Sequence, residues 1–284
     1  MPRQPRRSNP SVVLVGHGRM AGLLARAWRS HSVAFRRVRG RSLVGGTFVR
    51  KGPAATVLVL AVVDRALPDV VLGLRASRQV CKGDVVVHLA GILGPDVLGP
   101  LREDGAAVGA VHPLIAVARA SNPPDPSGKV ATFEGDPAAL RAIRAIFGPV
   151  GLRVIAARTV DRSAYHAAAA LCATGGVALA QAAAAVFARA MTPRPGAAIL
   201  GALTASLLES VAHNVRVAGP TGALASPLVR GDVGSVERHL AALALHPRAR
   251  ELYAAALAQV IERLAAEGTL PAETLRAARR VVGG

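Results

Sequence analysis

Acidic residues are the first absence in this chain. None occurs before Asp64, and over all 284 residues 17 Asp and Glu face 35 Lys and Arg, a formal net charge of +18. Cysteine is nearly absent: Cys81 and Cys172 cannot build a disulfide framework, and no CxxC or Cys/His ligand spacing occurs. A reducing cytoplasm is therefore the expected compartment, and no metal site is expected. Lysine occurs three times and aromatics make up 3% of residues, so stacking platforms for single-stranded nucleic acid are scarce. Apart from the basic tail, residues 1–10, the arginines are spread through helical segments. That reads as compositional bias and argues against nucleic-acid binding. The basic start runs into a strand and a glycine turn, not an apolar segment with a cleavage site, so no signal peptide is expected. Charge is also missing from Ala164 to Ala188, a length sufficient to span a bilayer. Its His166, Gln181, Gly175-Gly176 pair and heavy alanine content favour a buried, closely packed helix over a membrane span.

What is present is apolar: 51% of the residues are hydrophobic, enough for one large or two medium domains. Ser11-Val12-Val13-Leu14-Val15 reads as a buried strand, Gly16-His17-Gly18-Arg19-Met20-Ala21-Gly22 as a tight turn, and Leu23–Trp28 as the start of a helix. Strand, glycine turn and helix in this order are what a dinucleotide-binding turn requires. Gly16 permits the turn, Gly18 lets backbone approach a pyrophosphate, and Ala21 or Gly22 keeps the helix near the sheet. The helix N-terminus adds free N–H donors. Gly16, His17, Gly18, Arg19, Met20 and Ala21 are thus candidate cofactor-binding residues, with Val62 and His88 at the ends of later strands.

A second strand, Ser32–Phe35, is followed at once by Arg36, Arg37, Arg39 and Arg41. An Asp or Glu there would hold the ribose 2′-hydroxyl of NAD; arginine suits a 2′-phosphate. Arg36 and Arg37 accordingly point to NADP(H).

Strand and helix patterns alternate from residue 11 to 158, as a doubly wound, mainly parallel α/β sheet demands. Strands are expected at Ala54–Val63, Asp84–Leu89, Ala106–Val111, Lys129–Phe133 and Arg153–Ala156. From 159 to 284 the strand signal disappears and an all-α C-terminal domain is expected, interrupted by the loop Gly219–Asp232.

Ligands of open α/β sheets lie beyond the carboxyl ends of the strands. His88 and His112 sit there, either as functional groups or as hydrogen-bonded loop histidines. Tyr165-His166 opens the long alanine helix, where a phenol and an imidazole facing a cleft could donate a proton as hydride arrives; a buried, backbone-satisfied pair is the alternative. Asn214, Arg230, Asp232 and His239 gather about the Gly/Pro-rich loop. Arg230 could clamp a substrate carboxylate, and Asp232 could orient it or simply cap the helix from Val233.

Val87-His88-Leu89-Ala90-Gly91, Gly109-Ala110-Val111-His112-Pro113-Leu114, Tyr165-His166-Ala167-Ala168-Ala169 and Gly219-Pro220…Pro227…Arg230-Gly231-Asp232 occur in this order. Together they resemble a family of predicted oxidoreductases with a Rossmann-like domain followed by a helical domain of formerly unknown function. The resemblance covers nearly the whole chain after the tail. The architecture is similar to pyrroline-5-carboxylate reductase, ketopantoate reductase and the wider 6-phosphogluconate dehydrogenase superfamily. It implies NADP binding, a homodimer and, for some members, ketopantoate reduction. The chain departs from the pattern at Ala90, where Ser is usual, and at Ala173-Thr174, where Ser-Asn is usual. No lysine follows Lys129, so the helical lysine of common ketopantoate reductases has no counterpart and His166 or Tyr165 becomes the expected acid. The resulting expectation is an NADPH-dependent reductase of a small carboxylate-bearing carbonyl or imine compound. A nucleotide-binding regulatory protein that lost the chemistry is the rival.

Overall fold

The structure, a computed structural model, describes residues 11–40, 55–118 and 123–283. The chain divides into two compact units between Ala169 and Ala170. The first contains β1 (Ser11–Val15), α1 (Arg19–Ser30), β2 (Phe35–Val38), β3 (Thr56–Leu60), α2 (Leu67–Ala76), β4 (Val85–His88), α3 (Gly99–Glu103), β5 (Ala107–Pro113), β6 (Val130–Gly135), α4 (Pro137–Phe147) and β7 (Arg153–Ala156). α5 (Arg162–Ala190) begins in this unit and continues into the second.

The seven strands form one sheet in the order β2-β1-β3-β4-β5-β6-β7. Successive side chains in a strand point to opposite faces, so a strand covered on both sides must be apolar at every position. Val12, Leu14, Val57, Val59 and Val87 pack on one face with Trp28 and Phe147. Val13, Val15, Leu58, Leu60 and Val86 pack on the other with Leu67, Leu74 and Leu98. Trp28 is fully buried and its indole N–H donates to the Ile146 carbonyl at 3.0 Å, which ties α1 to α4.

One feature of the sheet differs from the sequence reading, and a second is the exception that a mainly parallel sheet allows. β2 lies at Phe35–Val38, three residues later than expected, and therefore contains Arg36 and Arg37. β6 runs antiparallel to β5, whereas every other neighbouring pair is parallel. A parallel pair needs a crossover, usually helical, and the segment between β5 and β6 carries Pro123, Pro124 and Pro126, which oppose a helix.

The second unit holds the rest of α5 together with α6 (Ala197–Gly222), α7 (Val233–Ala242), α8 (Pro247–Glu267) and α9 (Ala272–Gly283). Its core consists of Leu228, Val236, Leu240, Leu257, Ile261, Leu264, Leu275 and Ala278, contributed by the last three helices and the turn before them. The sequence predicts a buried α5, yet none of its residues is buried, and α6 buries only Thr204. Both helices are long and apolar enough to cross a membrane by length and composition. The expected loop from Gly219 is largely turned into structure: α6 kinks at Gly219 and continues through Pro220 to Gly222, and Pro227–Arg230 forms a 3-10 turn.

Candidate functional site

A cleft of about 890 Å³ opens beyond the carboxyl ends of β1, β3, β4 and β5. Gly16, His17, Gly18, Arg19 and Met20 line it, and so do Val62, Val63, Asp64, Leu89, His112, Pro113, Ile115 and Val117. The sequence-predicted glycine turn, Val62 and His112 are thereby brought together within the first unit.

Gly16 has φ +129°, and a Cβ there would lie 2.2 Å from the Ala61 carbonyl oxygen, so neither the backbone nor the packing admits a side chain. Gly18 is the N-cap of α1 and makes no side-chain cap, while a Cβ on it would meet nothing within 4 Å. The helix therefore presents uncapped N–H groups to an open approach, a ready site for a phosphate-sized anion. Ala21 is fully buried and supplies the close packing of α1 on the sheet. Arg19 donates to the Val117 carbonyl at 2.9 Å and closes one side of the cleft.

The later start of β2 places the arginines differently from the sequence expectation. Because β2 includes both, Arg36 and Arg37 do not follow the strand. Arg37 Nε donates to the Gly16 carbonyl at 2.8 Å and braces the turn from behind; burial and then Arg29 push its pKa down. Arg39 is the first exposed residue past the strand, the position where a 2′-phosphate ligand belongs. Desolvation, then Arg37 and Arg39, hold His17 below the ordinary imidazole range, so positive charge gathers beside the turn. Arg41 and the basic tail lie outside the described residues.

His88 is fully buried. Its Nδ1 accepts from the Ala90 N–H at 3.2 Å, which leaves Nε2 to donate to the Gly94 carbonyl at 2.9 Å. Burial pushes its pKa down to about 4. Both nitrogens are thus engaged by the loop after β4, and the ring shapes that loop; it is not among the groups lining the cleft.

His112 has a different environment. In the antiparallel pairing of β5 and β6 it stands directly opposite Thr132. The Tyr165 hydroxyl, from the first turn of α5, lies 2.7 Å from Thr132 Oγ1 and 3.0 Å from His112 Nδ1. Burial, then the His166 ring, lowers the His112 pKa; Asp64 opposes this and Arg162 adds to it. The His112 and His166 rings lie 5.6 Å apart, centroid to centroid. A Cβ at Gly91 would sit 2.6 Å from His166 Nδ1 and 2.7 Å from His112 Nε2, so both nitrogens face one small space that glycine keeps open. Sequence reasoning missed Thr132, because its place opposite His112 follows from the antiparallel register. It also missed Asp64 and Leu89 as cleft residues.

In the second unit, Asp232 caps α7. Its Oδ1 accepts from the Ser235 N–H at 3.0 Å and Oδ2 from the Ser235 hydroxyl at 2.6 Å, and these bonds hold its pKa down. The capping reading therefore describes its contacts. Arg230 ends the preceding turn and is exposed, as is Asn214 on α6. His239 Nδ1 lies 3.0 Å from the Tyr253 hydroxyl. Among the described residues, no group of three His, Cys, Asp or Glu could hold a metal ion.

The Rossmann-like domain family matches residues 12–113, and a domain of unknown function, DUF2520, matches residues 129–260. No match was found among curated proteins. The fold is similar to that of a Bacteroides fragilis protein named as an NADP oxidoreductase, with 19% identity over 86% of this chain and 95% of that one and a TM-score of 0.59. A Thermotoga maritima protein aligns with 18% identity over 96% and 98% of the two chains, TM-score 0.55. The reductive aminase of Aspergillus terreus, solved with NADPH and ethyl-5-oxohexanoate, aligns with 14% identity over 94% and 98%, TM-score 0.53. The chain therefore matches a Rossmann-like domain over residues 12–113 and a DUF2520 domain over residues 129–260, and shares its fold with these three structures.

Proposed function

We propose that this protein is an NADPH-dependent reductase of a small carbonyl or imine compound bearing a carboxylate, with ketopantoate the first candidate. The observation that carries the reading is the cleft itself. An uncapped helix N-terminus, a glycine turn and an arginine-rich margin stand on one wall, and a polar histidine cluster stands beside it. The backbone of Gly18, Arg19 and Met20 would hold the pyrophosphate. Arg39, with Arg37 fixed behind the turn, would hold the 2′-phosphate. The bound cofactor would supply hydride; His112, with Tyr165 and His166 next to it, supplies hydrogen bonding to the oxygen or nitrogen that gains charge. NADP and NADPH in the names of proteins of the same fold support the cofactor assignment.

Carboxylate recognition falls to Arg230, a guanidinium suited to bidentate pairing. The test is a screen of 2-oxo acids and cyclic imines, following NADPH consumption. Arg230→Ala is expected to raise KM for the active carboxylate substrate with kcat little changed, because the contact exists in ground and transition states alike. If NADPH binds and nothing in the screen is reduced, the reading passes to a non-catalytic nucleotide-binding protein, and Ala90, Ala173 and Thr174 become the first substitutions to reverse.

We also propose a homodimer. Leu171, Leu207 and Val217 are 75%, 59% and 72% exposed on α5 and α6, an apolar surface that a lone chain leaves wet. A second copy would cover it; recovery in membranes instead of a soluble dimer would contradict this. The exposed free thiols of Cys81 and Cys172 support a reducing cytoplasm as the compartment.

A further inference from the structure

We propose that Thr132 and Tyr165 are positioning residues that fix the cleft-lining His112 as its Nε2–H tautomer, with that N–H turned towards His166 Nδ1 over Gly91. The inference rests on the reductase reading for its purpose, but the hydrogen-bond argument stands on its own.

Tyr165 has one hydroxyl proton and two neighbours for it, Thr132 Oγ1 at 2.7 Å and His112 Nδ1 at 3.0 Å. A phenol is a far stronger acid than an aliphatic hydroxyl, and an imidazole nitrogen is the strongest base of the three groups. The phenol therefore donates to Nδ1 and accepts from Thr132. With Nδ1 accepting, the single proton of a neutral ring must reside on Nε2. Burial and the neighbouring His166 favour that neutral ring.

Across the small space over Gly91, His112 Nε2 faces His166 Nδ1, a buried atom with no hydrogen-bond partner among the described residues. Two lone pairs would repel there; an Nε2–H relieves that conflict. A neutral imidazole N–H is well suited to polarise a C=O or C=N bond without introducing a buried charge. Thr132 and Tyr165 act through His112, and Gly91 provides the room.

The experiment is a long-range proton–nitrogen correlation spectrum of the full chain labelled with nitrogen-15 histidine. It is run at mildly alkaline pH without cofactor, with the His112 signals identified by their loss in His112→Asn. Wild type is expected to show the Nε2–H pattern at His112. Thr132→Val and Tyr165→Phe are expected to shift it to a mixture of tautomers, and Thr132→Ser to restore the wild-type pattern. An Nδ1–H pattern in wild type overturns the proposal, and so does an Nε2–H pattern unchanged in both variants. If Tyr165→Phe does not fold, wild type and the Thr132→Val and Thr132→Ser pair decide. No turnover enters the readout: failure of the substrate screen removes the reductase reading and leaves the tautomer result intact.

Discussion

The two units of this chain solve the burial problem in opposite ways. The sheet of the first is covered on both faces by its own helices, so Val12 to Val15 and Thr56 to Leu60 are buried without interruption. In the second, the last three helices close a small core, while α5 and α6 carry strongly apolar sequences and bury almost nothing. The first unit is complete as a folding object and places its polar groups sparingly, at strand ends. The second leaves α5 and α6 largely uncovered, which is why the proposed dimer belongs to it and the proposed cofactor site to the other.

The comparison breaks most visibly at Gly16. A Cβ 2.2 Å from the Ala61 oxygen, at φ +129°, leaves no accommodating movement. Gly16→Ala is expected to cost about 3 kcal/mol or more of stability and to abolish nucleotide binding; unchanged denaturant midpoints would remove the turn from its central position. Next in size is the pH response of the buried strand end. His88 titrates at about 4 when folded against an ordinary 6.5, so the folded state binds fewer protons as acid is added. Stability is full above about pH 6.5 and falls as pH drops from there towards 4, by about 3 kcal/mol in total. His88→Gln, which keeps a donor for the Gly94 carbonyl, should flatten that slope in urea titrations at stepped pH. In the second unit, a charge on the exposed apolar face, Leu171→Glu, should leave the chain folded and weaken self-association at least about tenfold, roughly 1.4 kcal/mol. Sedimentation that finds wild type monomeric at micromolar concentration would end the dimer reading.

Much of this was legible in the sequence because it rests on local rules. The glycine turn, the continuous apolar strands and the loss of strand signal after Asp161 each follow from backbone freedom or from side-chain period. What escaped were matters of partner and register. The three-residue displacement of β2 could not be read from Ser32–Phe35 alone, since its pairing to β1 decides where it starts; that displacement moved Arg36 and Arg37 into the strand and left Arg39 beyond it. The reversal of β6 is a pairing choice as well, and with it Thr132 came to stand opposite His112. His88 and His112 look alike as strand-end histidines. Only the three-dimensional contacts separate a ring consumed by its own loop from one that borders the cleft.

The central claim is that the arginine-bearing end of β2 makes the glycine turn an NADP site, and a competitive binding measurement tests it most directly. NADPH should bind wild type at least about tenfold more tightly than NADH, a difference of roughly 1.4 kcal/mol. Arg39→Ala should erase most of that preference while leaving NADH affinity unchanged, because the 2′-phosphate is the one group the two cofactors do not share. Equal affinity for the two in wild type, or tighter binding of NADH, would contradict the account.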